Sequence, residues 1–446
     1  MAYIPHESDV SSILSELGFK SIEEAVETFL PSKYLKGFSV DIPVMDDEYE
    51  LLKYFKKFEA MNKIYKPEDI YVGMGVEPVY IPSLIKYLVS RGEFLTSYTP
   101  YQAEMSQGVL QALYEYQSVM AELLEMDVVN SSMYDGASSI AEALLMAERI
   151  KGRKRVLIPH DMNRFYKEVV RTYLYGPGIS IVEYRFNNSG RIDLDLIEEE
   201  LKKGISGVYI EFPNIYGYFD EDIFTLEETV HRYDALFIVG FDIWSLPIVI
   251  PPGRLNADIA VGEGQPFGLS MGYGGPLLGI FSVKRDMNLI RNMPGRLIGE
   301  TRTSDGGRAY TMILQTREQH IRRGRATSNI CTNEALSAIQ TLMFIAYHGL
   351  RGLYRISMEM LRLSHRLRDG LVKIGFNEYM NLPFHRRFTV EIGSDVENFI
   401  GYMVSSGILP GHQLRDRLII HLNMMNNDSS IDKYIEYARR WVYNVR

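Results

Sequence analysis

Short apolar runs alternate with amphipathic stretches through the middle of this chain, regularly enough to assign elements. Runs at 155–158, 180–184, 207–211 and 236–242 read as buried strands, and helical periodicity fills 162–174, 194–203 and 225–233 between them. Further strands are expected at 128–129, 258–261, 277–283 and 310–314, with a helix over 140–150. Strands alternating with helices at this spacing predict an α/β fold with a mostly parallel sheet covered on both faces. Ahead of it, helices at 8–17, 21–29 and 46–62 form an N-terminal arm that covers the core or a partner; Leu51, Tyr54, Phe55 and Phe58 share one side of the third. A helix over 106–126 follows a polar segment, and helices at 334–347 and from Gly349 to 371 lead into a small α/β unit. That unit reads as strand 387–392, helix 396–405, strand 417–422 and helix 430–441. The expected division is an arm over 1–65, a large α/β domain over 66–335 and a small C-terminal domain over 336–446, with the boundary between Thr332 and Arg351.

Composition narrows the function. The chain has 446 residues, 46% hydrophobic and 24% charged, enough for a large core. A net charge of −9 argues against a nucleic-acid or membrane-surface binder, which needs a basic footprint. One cysteine, Cys331, excludes a disulfide framework and cysteine-rich zinc sites, and suits a reducing cytoplasm. Neither a signal peptide nor a membrane-spanning run is expected.

Candidate chemistry centres on a missing residue. The strand at 236–242 ends on Asp242, and a glycine-rich loop follows the strand at 258–261. In pyridoxal 5'-phosphate enzymes built on such a sheet, a strand-end aspartate pairs with the pyridinium nitrogen and a lysine some two dozen positions later forms the Schiff base. Here that count lands on Gly264 and Gln265, and no lysine occurs from Gly204 to Val283. Ser138, at a small-residue helix start able to reach an anion, and Asn214 are expected at the same sheet edge, where ligands of open α/β sheets bind. The segment Tyr98-Thr99-Pro100-Tyr101-Gln102-Ala103-Glu104 is either a ligand-contacting loop or a hydrogen-bonded surface turn. Arg317, Arg322, Arg323 and Arg325 are either a solvated face or an anion contact. Gly262, Gly264 and Gly268 depart from the dinucleotide fingerprint, which speaks against a nicotinamide site.

Several segments together resemble one family. Tyr3-Ile4-Pro5-His6, Tyr98 to Glu104, Tyr134-Asp135-Gly136-Ala137-Ser138 and Val261-Gly262-Glu263-Gly264-Gln265-Pro266 look like the glycine cleavage P protein, in its N-terminal half. So do Met293-Pro294-Gly295-Arg296, Arg317 to Arg323, and Ala326-Thr327-Ser328-Asn329-Ile330-Cys331-Thr332-Asn333. In many prokaryotes that half is a separate α subunit. Gly324-Arg325 depart from the family pattern, and the stretch after Pro410 is short. The resemblance implies a fold-type-I pyridoxal-enzyme scaffold and an α2β2 assembly with a β chain, glycine dehydrogenase subunit 2. Pyridoxal phosphate is then held covalently by the partner, glycine loses carbon dioxide, and the aminomethyl group passes to the lipoyl arm of the H protein. Tyr98, Tyr101 and Glu104 are the expected interface contacts near glycine. Ser138, Asn214, Asp242 and Gln265 are the expected relics of a cofactor pocket, with no catalytic residue on this chain.

Overall fold

The computed structural model describes residues 7–34, 45, 47–187 and 190–445; the Tyr3 to His6 motif lies outside them. The chain divides into two compact units, Met1–Ile64 and Tyr65–Arg446. In the first, helices span Glu7–Glu16, Ile22–Phe29 and Glu48–Glu59. Ser21 and Asp47 cap the second and third by accepting the backbone N–H of Glu24 and Glu50, which satisfies donors a helix start leaves open. The rings of Tyr54, Phe55 and Phe58 meet edge-on or tilted along the third helix.

The second unit carries the chemistry. Its main sheet contains β1 (Val128–Val129), β2 (Arg155–Pro159), β3 (Ser180–Tyr184), β4 (Gly207–Phe212), β5 (Leu236–Phe241), β6 (Ile259–Glu263) and β7 (Gly279–Val283). Their order is β1-β7-β6-β5-β4-β2-β3. The pairs from β3 through β6 are parallel, and β7 runs antiparallel to both β6 and β1. The central strands are buried on both faces, which is why they read as unbroken apolar runs and not as alternating ones.

A separate hairpin, β8 (Leu297–Arg302) with β9 (Arg308–Ile313), is zipped to the helix Gln107–Leu124 by two glutamine side chains. The Gln107 amide donates to the Tyr310 carbonyl and accepts its N–H at 2.8 and 2.9 Å; Gln117 does the same with Ile298 at 3.0 Å. Only the second strand of this hairpin is expected from the sequence.

The helix Ala335–Lys373 breaks at Gly349, whose φ of 62° and ψ of 171° no helix accepts, at the glycine where the sequence predicts one helix to give way to the next. Beyond it lies an antiparallel sheet of β10 (Asn377–Glu378), β11 (Arg387–Glu391), β12 (His412–Leu414) and β13 (Arg417–His421), in the order β10-β11-β13-β12. Arg387 faces His421 across the β11–β13 ladder. Tyr71 joins the core of this sheet and stacks edge-on against Tyr434. Among the described residues no helix is long and apolar enough to cross a membrane.

Candidate functional site

At the carboxyl ends of β4, β5 and β6 the chain delivers Glu211, Asp242 and Glu263 to one cavity. Asp242 keeps the position expected of it but not a free carboxylate. Arg386, one residue before β11, donates to both Asp242 oxygens, at 2.8 Å through Nη2 and 2.9 Å through Nε. Its Nη1 donates to both oxygens of Glu77 at 2.7 Å. His421 Nε2 donates to Glu77 Oε2, also at 2.7 Å. All four side chains are buried, so two carboxylates and the guanidinium they share sit in low dielectric, tolerated only because they are paired and hydrogen-bonded. Burial alone would raise Glu77 and Asp242; the Arg386 guanidinium outweighs it and holds both carboxyls below their usual range. Burial lowers His421 and keeps its imidazole neutral, a donor at Nε2.

Glu263 occupies the second feature of the expected pocket. The helix Gly136–Lys151 begins here, capped by Asp135 and Ser138 in a reciprocal capping box. Its first amide, the Gly136 N–H, points at Glu263 Oε2 at 2.9 Å, and the N–H groups of Gln265 and Leu278 reach Oε1 at 2.9 and 3.0 Å. The anion seat at this helix start is thus filled by a carboxyl of the chain itself. Burial pushes Glu263 up to about 8 against the pull of those three donors.

Gln265, where a lysine would stand, is fully buried and fully bonded. Its amide donates to the carbonyls of Glu77 and Leu269 at 3.0 and 2.8 Å and accepts the Glu77 N–H at 3.0 Å. The space left among these groups is about 80 Å³, well below the roughly 300 Å³ at which small-molecule pockets begin. With no amine to form a Schiff base, the aspartate already paired and the anion seat taken, the residues present do not fit pyridoxal phosphate. Ser138 serves as a helix cap, and Asn214 accepts the Tyr218 N–H at 3.1 Å in the turn after β4; neither lines the cavity.

The other sequence-predicted residues lie in a different place. After the short helix Gly92–Leu95 the chain runs without regular structure to a single 3₁₀ turn, Ala103–Met105. Tyr98 is 72% exposed and Tyr101 46%, and Glu104 is exposed on the turn. What holds this loop is Arg296, a buried residue at the entrance to β8. Its Nε donates to Glu318 Oε2 at 2.9 Å, Nη1 to Thr99 Oγ1 at 2.7 Å, and Nη2 to the Tyr101 hydroxyl at 3.1 Å and Cys331 Sγ at 3.2 Å. Thr99 also shares a 2.7 Å hydrogen bond with Thr332, and the Tyr101 ring meets His320 edge-on at 5.3 Å. Burial alone would lower Arg296, but the Glu318 carboxylate outweighs it and keeps the guanidinium charged. The segments 98–104, 293–296, 317–320 and 326–333, far apart in sequence, therefore meet around one cation. Of the four arginines in the basic run, Arg317 turns inward to the Met293, Gly295 and Leu314 carbonyls, while Arg322, Arg323 and Arg325 are exposed. Among the described residues no cluster of His, Cys, Asp or Glu could hold a metal ion.

Sequence reasoning missed Glu77, Arg386, His421 and the role of Glu263. Glu263 sits inside a motif read only for its glycines. Arg386 and Glu77 are separated by 309 residues and have no local signature.

This sheet order, with a second small sheet beyond a long broken helix, is the architecture of the fold-type-I pyridoxal-phosphate enzymes. Burkholderia pseudomallei sphingosine-1-phosphate lyase and Lactobacillus brevis glutamate decarboxylase share that fold with TM-scores of 0.66 and 0.68 at 14% and 13% identity. The chain belongs to the glycine cleavage system P-protein family, whose model matches residues 1–401. A probable glycine dehydrogenase (decarboxylating) subunit 1 of Staphylothermus marinus is 53% identical over 74% of this chain and 71% of its own length. The protein of the same description from Sulfurisphaera tokodaii is 38% identical over 98% of each chain. A crystal structure of glycine decarboxylase (P-protein) of the glycine cleavage system, in inhibitor-bound form, superposes with a TM-score of 0.88 at 33% identity, over 99% of this chain and 100% of that one.

Proposed function

We propose that this chain is the non-aldimine subunit of a glycine-decarboxylating enzyme, paired in an α2β2 assembly with a homologous β chain, subunit 2. The observation that carries the reading is the closure of its own strand-end pocket by Asp242, Arg386, Glu77 and Glu263, while a polar loop built on a buried arginine stands exposed. The β chain holds pyridoxal phosphate, the lipoyl arm of the H protein accepts the aminomethyl group, and the assembly works in the cytoplasm. This chain contributes Tyr98, Tyr101 and Glu104 at the interface beside the glycine site. Its hydroxyls and carboxylate orient glycine, and its surface excludes water from the shared pocket.

The test is the visible absorbance with pyridoxal phosphate of this chain alone, of subunit 2 alone and of the mixture, together with carbon dioxide release from glycine when lipoylated H protein is present. Silence from the solitary chain, and absorbance with turnover in the mixture, is the expected result. A borohydride-reducible aldimine on the solitary chain would overturn it. Turnover by subunit 2 alone at the rate of the mixture would reduce this chain to a scaffold.

A further inference from the structure

The basic run around Arg322 carries charge that nothing in the chain neutralises. Arg322, Arg323 and Arg325 are exposed, and among the described residues neither a hydrogen bond nor an ion pair engages their guanidinium groups. The nearest acid in sequence, Glu318, is buried and engaged by Arg296. Exposed arginines elsewhere find carboxylates: Arg362 and Arg366 share Asp428, and Arg91 meets Glu93. On a chain of net charge −9 the run is a local inversion of sign. The loop that bears it is pinned at its base. Arg317 donates to the Met293 and Gly295 carbonyls, and the Thr327 N–H donates to the Arg317 carbonyl at 3.0 Å, so residues 318–326 leave and return at one place. Within the loop run the single-turn helix Gln319–Arg322 and the 3₁₀ turn Arg323–Arg325, and the Ala326 N–H closes the latter on the Arg323 carbonyl at 3.1 Å. Backbone ordered in advance reduces the entropy lost on binding.

Ile321, also exposed, separates these arginines from His320, whose ring meets Tyr101. Exposed tyrosine and aliphatic side chains beside unpaired guanidinium groups have the composition of a protein-docking surface. A single small ion gains little from exposed cations, because water and salt screen each contact, but several cations act together on a broad acidic face. A polynucleotide needs a longer basic track, one that meets successive phosphates. The rest of this acidic chain repels an acidic partner, so the run also fixes where such a partner lands. The function proposed above, on which this step rests, sets the glycine site beside Tyr101 and brings the acceptor on a tethered arm. Such an arm reaches only a site beside which its carrier docks. We infer that Arg322, Arg323 and Arg325 form the docking surface for an acidic face of the lipoyl-bearing H protein, with Ile321 as the apolar contact among them.

The test is the affinity of labelled, lipoylated H protein for the assembled enzyme, read by fluorescence anisotropy at ionic strengths of about 0.05 M and about 0.5 M. The wild-type chain is compared with one carrying Arg322→Gln, Arg323→Gln and Arg325→Gln together, and with the corresponding triple glutamate variant. At the lower ionic strength the glutamine variant is expected to raise both Kd and KM for H protein roughly tenfold, and the glutamate variant to raise them further. At the higher ionic strength the glutamine variant should come within about twofold of wild type. KM for glycine, and turnover with free lipoamide as acceptor, should keep their wild-type values, since neither involves docking. Unchanged affinity for H protein in both variants, or wild-type affinity indifferent to salt, would overturn the inference. So would inhibition of wild type but not of the variants by inorganic phosphate, with affinity for H protein unchanged, which would make the run a small-anion site. Turnover by subunit 2 alone at the rate of the mixture would sink the function proposed above, and the difference in H-protein binding between wild type and variants would still decide this one.

Discussion

The two buried arginines at the centre of this molecule are put to opposite uses. Arg386 ion-pairs with two buried carboxylates at once, and everything it touches faces inward. Arg296 has a single carboxylate partner, and its remaining donors go to hydroxyls and a thiol on segments that reach the surface. The first arrangement fills a cavity; the second holds an exposed loop in place. A buried cation thus says little about function until the exposure of its partners is known. The pocket at the strand ends is the one occupied by the chain's own charges.

Removing Arg386 should expose this contrast most strongly. Arg386→Ala strands Glu77 and Asp242 as neighbouring buried carboxylates and should cost about 3–5 kcal/mol in urea denaturation. A loss below about 1 kcal/mol would mean the network is hydrated and the cavity open.

Next in size is a pH effect confined to the closed region. Glu263 and Glu211, raised by burial to about 8 and about 7, keep their protons in the folded chain well above the pH at which the unfolded chain releases them. Their contribution to stability is therefore complete below about pH 4.5 and is lost as pH rises through 7 and 8. Glu77 and Asp242, lowered, contribute in the opposite sense, and theirs is lost as pH falls below about 4.5. Stability measured by urea midpoint should therefore fall by a few kcal/mol between about pH 5 and pH 8. Glu211→Gln should flatten the part ending near pH 7, and a midpoint rising with pH would contradict the assignment.

At the open cluster the effects should be kinetic. Tyr101→Phe removes the hydroxyl that Arg296 grips and should lower kcat of the assembled enzyme about tenfold, the equivalent of ~1.4 kcal/mol, with the complex intact on size exclusion. An unchanged rate would remove Tyr101 from the proposed shared site. The smallest change should come from Ser138→Ala, which breaks half of a capping box for about 1 kcal/mol of stability and leaves turnover unaltered.

The fold was legible where local pattern and global role coincide. Leu236–Phe241 and Gly207–Phe212 are buried on both faces, so their apolar runs announce strands without help from elsewhere. The strand Leu297–Arg302 was not, because only its first two residues are buried and the rest is polar and partly exposed. Asp242 could be read because a strand end fixes its place. Its partner could not, since nothing near Phe384-His385-Arg386-Arg387 distinguishes the arginine that spans two sheets from the one beside it. The basic run shows the same limit: Arg317 and Arg322 look alike in sequence, yet one is buried against three carbonyls and the other is exposed.

Gln265 ties the charge network to the backbone. Its amide both donates to and accepts from the backbone of Glu77, and Glu77 in turn carries Arg386 and His421. A lysine placed there would find two carbonyls to meet but would leave the Glu77 N–H without an acceptor, and would face an aspartate still locked to an arginine and a helix start already occupied by Glu263. A lysine installed at that position alone would therefore cost stability without creating a cofactor site, because several contacts on distant strands would have to change with it. The strand-end contacts are thus interlocked: each carboxyl, guanidinium and amide here is held in place by the others.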